Sequence, residues 1–132
     1  MHLLAVLSGV AFMQLPAFRG YIRLTDVEKL PIIERLREEG LEGEEEMTLV
    51  IAGDLSARNI RYNIKVLGAK GKMFLTGTSV YHHPDGIKSG IDALKLAIEA
   101  VYKDIVEIEE LKEYAKSLEE RGLPLLRALE ER

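Results

Sequence analysis

Three times along this chain a short apolar run passes through a turn into a segment of helical period, and that alternation constrains the fold more than any other feature. The first run spans Leu3 to Phe12, the second is "MTLVIAG" at residues 47–53, and the third is "KMFLTG" at residues 72–77. None alternates apolar with polar residues as a half-exposed strand does. Continuous apolar runs belong to strands covered on both faces, and the long connections between them demand parallel pairing through crossover helices. The sequence therefore predicts one α/β domain over residues 1–132, with three βα units, a small parallel sheet and extra C-terminal helices. Two architectures stay open: an open three-layer sheet, or a partial TIM-barrel-like body completed by a partner.

The helical segments carry their own punctuation. Thr25-x-x-Glu28 forms a capping box, Pro31 follows near the first turn, and Gly40 stops the helix. "ARNIRYNIKVL" places Ile60, Ile64 and Leu67 on one face, with Gly68 past its end. The clearest helix carries Ile87, Ile91, Leu94, Ile98, Val101 and Ile105 at steps of four and three, which places them on one apolar stripe. Ile108, Leu111, Ala115 and Leu118 mark a last amphipathic stretch, broken at Gly122 and Pro124 before a short closing helix. Early in the chain, "AFMQLPAFRGYIRLT" reads as an apolar but irregular connection, whose Phe12, Phe18 and Tyr21 pack or make a subunit contact. "LEGEEEM" reads as a solvated acidic loop.

Composition narrows the function classes. The net charge of −4 supplies no positive field for phosphates, so no nucleic-acid partner is expected. The absence of cysteine removes disulfides, thiolate metal sites and cysteine nucleophiles. His82 and His83 are adjacent and diverge, and no HxH or HExxH pattern accompanies them, so no metal and no cofactor is expected. The apolar opening "MHLLAVLSGVAFMQLPAF" lacks a basic start and is too short to span a bilayer, which reads as a cytoplasmic protein with no membrane partner. Gln14, Asn59 and Asn63 are the only amide residues among abundant Lys, Arg and Glu, the pattern of thermophilic proteins. The apolar stripe and the opening connection point to a homo-oligomer.

In parallel α/β folds, ligands sit at the carboxyl ends of strands. "GDLSARN" offers Gly53 for a tight turn, Ser56 as N-cap, and Arg58 and Arg61 as nearby positive charge. Asp54 faces the same edge as a candidate base or metal ligand, although one carboxylate alone defines no chemistry. "TGTSVYHHPDG" offers Gly77 for close backbone approach and Thr78 and Ser79 for amides and hydroxyls, with Asp85 as a helix N-cap and Gly90 for close packing on the sheet. His83 either hydrogen-bonds this turn or serves as acid–base. The candidate ligand-binding set is thus Gly53, Ser56, Arg58, Gly77, Thr78 and Ser79, and the candidate catalytic residues are His83 and Asp54. The plain alternative is a pair of capped strand–helix turns.

At "GTSVYHHPDGIKSGIDALKLAIEAV" the sequence resembles the C-terminal part of the large subunit of ribulose-1,5-bisphosphate carboxylase, especially archaeal forms. That family ends its barrel with a glycine triplet, His-Pro-Asp-Gly, a basic residue, a small residue, Gly and an amphipathic helix. His83, Pro84, Asp85, Gly86, Lys88, Ser89 and Gly90 match in order. The likeness extends over about residues 47–132, the tail "LKEYAKSLEERGLPLLRALEER" included. It implies that Gly77, Thr78 and Ser79 occupy the phosphate-holding glycine triplet, and Gly53 and Asp54 the neighbouring glycine pair. Thr78, Ser79 and Asp54 depart from glycine, which narrows the space, and Asp54 repels a phosphate. The family's Lys-x-Asp-Asp/Glu motif has no counterpart on the three strands. What the resemblance implies is a reduced carboxylase-like fold that binds a phosphorylated or carboxylated metabolite and lacks carboxylase activity. The alternative is a non-catalytic oligomeric assembly or partner-docking protein.

Overall fold

The computed structural model describes residues 12–19, 26–38 and 48–130. Strands β1 (Phe12–Pro16), β2 (Thr48–Ala52) and β3 (Lys72–Phe74) form one parallel sheet in the order β1-β2-β3. Helix α1 (Asp26–Glu38) links β1 to β2, and α2 (Ile60–Leu67) links β2 to β3. After β3 come α3 (Thr78–Tyr81), α4 (Gly86–Val101), α5 (Ile108–Ser117), a 3-10 turn (Glu119–Gly122) and α6 (Leu123–Glu130). The α/β class, the parallel sheet and the extra C-terminal helices are as the sequence predicts.

The first described strand runs past the end of the predicted one. Residues 3–11 lie outside the described residues, as do Thr25, Gly40, Tyr21 and the acidic loop. "FMQLP", read from sequence as irregular connection, is β1, with Phe12 opposite Thr48 and Pro16 opposite Ala52. Pro16 is tolerated because it ends the strand, where a missing N–H costs no ladder bond. Pro31 stands inside α1, past its first turn.

One core lies on one face of the sheet. Leu15, Leu49 and Ile51 meet Ile33 of α1, Ile60, Ile64 and Leu67 of α2, Leu96, Ala97 and Ala100 of α4, Leu111 of α5, and Leu125 and Leu129 of α6. Val50 and Ala52 point the other way and stand outside this core, as period-two alternation requires. Among the described residues the helices gather on one face of the sheet, unlike those around the middle layer of a three-layer sandwich.

Helix α4 is where predicted, but its buried face is not the isoleucine stripe. Gly90, Ala93, Leu94, Leu96, Ala97 and Ala100 are buried, while Ile87 and Ile91 are 49% and 42% exposed. The reason is crowding. A Cβ on Gly90 would stand 2.6 Å from the Val80 carbonyl oxygen, so α3 presses directly on α4. Small residues take the crowded centre and larger ones its flanks, where Ile98, Val101 and Ile105 pack against the core's margin. Gly90 thus admits α3, not the sheet.

Candidate functional site

The carboxyl ends of β2 and β3 are joined by side chains that satisfy backbone groups in the loops. At the end of β2, Gly53 (φ 94°) and Asp54 (φ 59°) both adopt left-handed backbone, a conformation that costs a non-glycine residue energy unless its surroundings enforce it. Asn59 enforces it. Its Nδ2 donates to the Asp54 carbonyl at 2.7 Å and to the Arg19 carbonyl at 3.4 Å, while its Oδ1 accepts from the Ser56 N–H at 2.9 Å. The helix therefore starts at Ile60 with Asn59 at the N-cap position, not at Ser56. Ser56 instead closes the preceding turn: its carbonyl accepts from Asn59 and Ile60, and its Oγ accepts from the Arg58 N–H at 3.3 Å.

One turn along α2, Asn63 reaches the loop after β1. Its Oδ1 accepts from the Phe18 N–H at 2.7 Å and its Nδ2 donates to the Phe18 carbonyl at 3.0 Å. Phe18 is buried edge-on against Tyr62, and the Arg19 guanidinium lies 3.8 Å from the same ring. The two asparagines thus bind the ends of β1 and β2 to one helix. Neither emerged from the sequence as a site residue. Their rarity was the available signal, since a chain with so few amides places two of them one helical turn apart.

Arg61 does not add charge to this edge. It is buried, with its guanidinium donating to the Val106 and Glu107 carbonyls across the fold and to the Arg58 carbonyl within the helix. Burial pulls its pKa down, and the Glu107 carboxylate pushes it back up. Arg58 does face outward; its Nη2 donates to the Leu129 carbonyl in the last turn of α6.

The second loop joins the first through Ser79, whose Oγ donates to the Leu55 carbonyl at 2.8 Å. Residues Thr78–Tyr81, read from sequence as a plain turn, form the short helix α3. Gly77 precedes it with φ −140° and ψ −76°, and a Cβ there would meet nothing within 4 Å. Gly77 and Thr78 are exposed. Between the two loops and helices α4 and α6 lies a cavity of about 190 Å³, lined by Asp54, Ser56, Arg58, Ser79, Gly90 and Leu94 among others.

His83 sits behind this region. It is 4% exposed, and its Nε2 lies 2.9 Å from the Pro124 carbonyl, which can only accept. Nε2 therefore carries the proton, and Nδ1 is left to accept the Asp85 N–H at 3.1 Å. Both ring nitrogens are engaged within the fold. His82 is exposed. Asp85 makes no side-chain cap on α4 and pairs with Arg127 of α6 at 2.6 Å instead. No group of three or more His, Asp or Glu able to hold a metal occurs among the described residues.

No protein-family model matches the sequence. No curated protein matches it either. Solved structures do. A rubisco-like protein from Burkholderia fungorum superposes with a TM-score of 0.65 at 21% identity, over 89% of this chain and 29% of that one. Octameric ribulose-1,5-bisphosphate carboxylase/oxygenase from Pyrococcus horikoshii gives 0.62 at 24% identity, over 91% and 28%. The dimeric archaeal rubisco from Hyperthermus butylicus gives 0.61 at 22% identity, over 90% and 32%.

This is the fold of a rubisco segment. At these identities the likeness is one of fold, and the chain spans 28% to 32% of the length of those rubisco chains. The rubisco resemblance read from the histidine-proline turn thus holds for the architecture, and it reaches further than residues 47–132, since about nine-tenths of the chain superposes. No helix among the described residues is long and apolar enough to cross a membrane.

Proposed function

We propose that this rubisco-type segment binds the anionic group of a phosphorylated or carboxylated small molecule at the carboxyl edge of its sheet, between loops 53–58 and 77–79. The observation that carries the reading is the cavity where Ser56, Arg58 and Ser79 meet. Gly77, two residues before Ser79, does not line it, but it is exposed with open space where a side chain would stand, which leaves the main chain there accessible. Ser79 holds the second loop against the first, and Arg58 supplies a positive charge at the shared cavity.

The cavity bounds the ligand. At about 190 Å³ it has room for a phosphate or carboxylate group. Asp54 at the same cavity opposes a second negative charge, which favours a singly anionic end group. With His83 engaged on both nitrogens and Asp54 lacking a second catalytic group, the reading is binding rather than catalysis, without the carboxylation chemistry of full-length rubisco and without a cofactor. The protein is read as cytoplasmic and thermophilic.

Phosphorus NMR tests this. Inorganic phosphate titrated with the protein should broaden and shift at millimolar concentration, and Arg58→Ala, checked for intact far-ultraviolet circular dichroism, should weaken the effect about tenfold, the loss of one charge-assisted contact. A phosphate line that the wild-type protein leaves unchanged would sink the reading.

A further inference from the structure

The cavity at the carboxyl edge carries two opposite charges that do not meet. Asp54 and Arg58 both line it. Yet among the described residues the Asp54 carboxylate makes no hydrogen bond or ion pair; only the Asp54 carbonyl is engaged, accepting from Asn59. That bond holds Asp54 in left-handed backbone (φ 59°) and so sets the direction in which its side chain leaves the loop. Arg58 is tied to the Leu129 carbonyl of α6, a neutral oxygen, so this bond fixes the guanidinium without drawing on its charge.

The hydroxyls at the cavity are sorted in the same way. The Ser56 Oγ accepts from the Arg58 N–H, which leaves the Ser56 proton to donate. The Ser79 Oγ gives its proton to the Leu55 carbonyl, which leaves its oxygen to accept. Donors thus stand with Arg58, and acceptors with Asp54, the neighbour of Leu55. The rest of the lining is small and apolar. Ala57, Ala93 and Leu94 are buried, whereas Asp54 and Arg58 are exposed, so the charges stand at the mouth and hydrocarbon at the floor.

From this we infer that the ligand of the cavity is a small zwitterion, of the class of α-amino acids with short apolar side chains. Arg58 and Ser56 hold its carboxylate, Asp54 and Ser79 hold its ammonium, and its side chain rests on Ala57, Ala93 and Leu94. The inference rests on the reading of this cavity as an anion site and narrows it. A doubly charged phosphate brings negative charge to Asp54 and offers no donor to the acceptors there. A carboxylate without an amine leaves Asp54 unanswered. An ammonium supplies three donors and the opposite charge. The cavity's volume of about 190 Å³ lies below the ~300–1,000 Å³ of sites for drug-sized molecules, which suits a ligand of this size.

Ligand-detected proton NMR of the full chain with alanine, propionate and ethylamine tests this, with phosphorus NMR of inorganic phosphate alongside. Alanine carries both charges, and propionate and ethylamine one each. Alanine should bind at least tenfold more tightly than either, the worth of one further charge-assisted contact. Asp54→Asn suits a left-handed residue and so keeps the loop. It should weaken alanine at least tenfold and strengthen propionate, because an anion no longer meets the carboxylate. A residue needed only for the fold would weaken both alike. Alanine binding no more tightly than propionate, while propionate and phosphate still bind, would overturn the zwitterion and leave the anion site standing. Alanine binding that survives Asp54→Asn unchanged would overturn it by placing the amine elsewhere. Binding of none of the four probes would overturn both readings together.

Discussion

Asn63 and Phe18 hold each other across 45 residues of sequence, the amide of one closing a two-bond ring with the backbone of the other at 2.7 and 3.0 Å. This exchange does for the β1 loop what a strand ladder does inside the sheet: it satisfies a buried N–H and a buried C=O that have left regular structure. Truncating the side chain removes both bonds. Asn63→Ala should cost roughly 1–3 kcal/mol, the loss of two buried hydrogen bonds, read as a lowered urea midpoint. A loss within the range of a surface substitution would mean that water reaches the Phe18 backbone.

Two glycines make opposite predictions. Gly90 faces backbone at 2.6 Å, where nothing flexible can yield, so Gly90→Ala should destabilise by about 1–3 kcal/mol through overpacking of α3 on α4. Gly77 faces open space, so Gly77→Ala should leave stability within about 0.5 kcal/mol of wild type. Chemical denaturation of the pair checks both. Equal effects would contradict the packing described for α3.

Asp92 supplies a pH dependence. A hydrogen bond from Lys88, at 2.7 Å one turn earlier on α4, holds its carboxyl below the ordinary value of 3.8. A carboxylate whose folded-state pKa is depressed contributes stability that is fully present above its unfolded value and lost as pH falls through the folded one. The contribution should therefore be intact above about pH 4 and disappear in the acid range below it. Because the pair is exposed, the effect is small and screened by salt. Comparing wild type with Asp92→Asn by thermal unfolding across the acid range, at low and high salt, measures it. A difference that persists in high salt would contradict a screened surface pair.

Much of the fold was legible because periodicity reports which residues are buried. β2, α2 and α4 all fall within a few residues of their predicted spans, and the alternation of strand with helix predicted the parallel sheet. β1 was misread because its residues mix Gln14 and Pro16 with apolar ones, and only the register with β2 reveals that alternate positions face different sides. The isoleucine stripe of α4 misled because hydrophobicity counts large side chains, whereas a close helix crossing selects small ones such as Ala93 and Ala97. At the carboxyl edge the sequence marked the loops but not what fixes them. Asn59 and Asn63 act on residues 3 to 45 positions away, and no local pattern announces the contacts to Arg19 and Phe18. Arg61, read as surface charge, is buried because the carbonyls of Val106 and Glu107 receive it.

The central claim is that the edge carrying Gly77 holds an anion, and ligand-dependent melting tests it most directly. Wild-type protein in millimolar phosphate, and in each of a panel of sugar phosphates, should melt higher than in chloride of equal ionic strength. At ten times the dissociation constant the gain is about 1.4 kcal/mol, a rise of roughly 5 °C. Gly77→Val, which fills the open space beside the main chain, should melt like wild type in chloride and lose the rise in phosphate. A melting temperature indifferent to every anion, or a rise that survives Gly77→Val unchanged, would contradict the account.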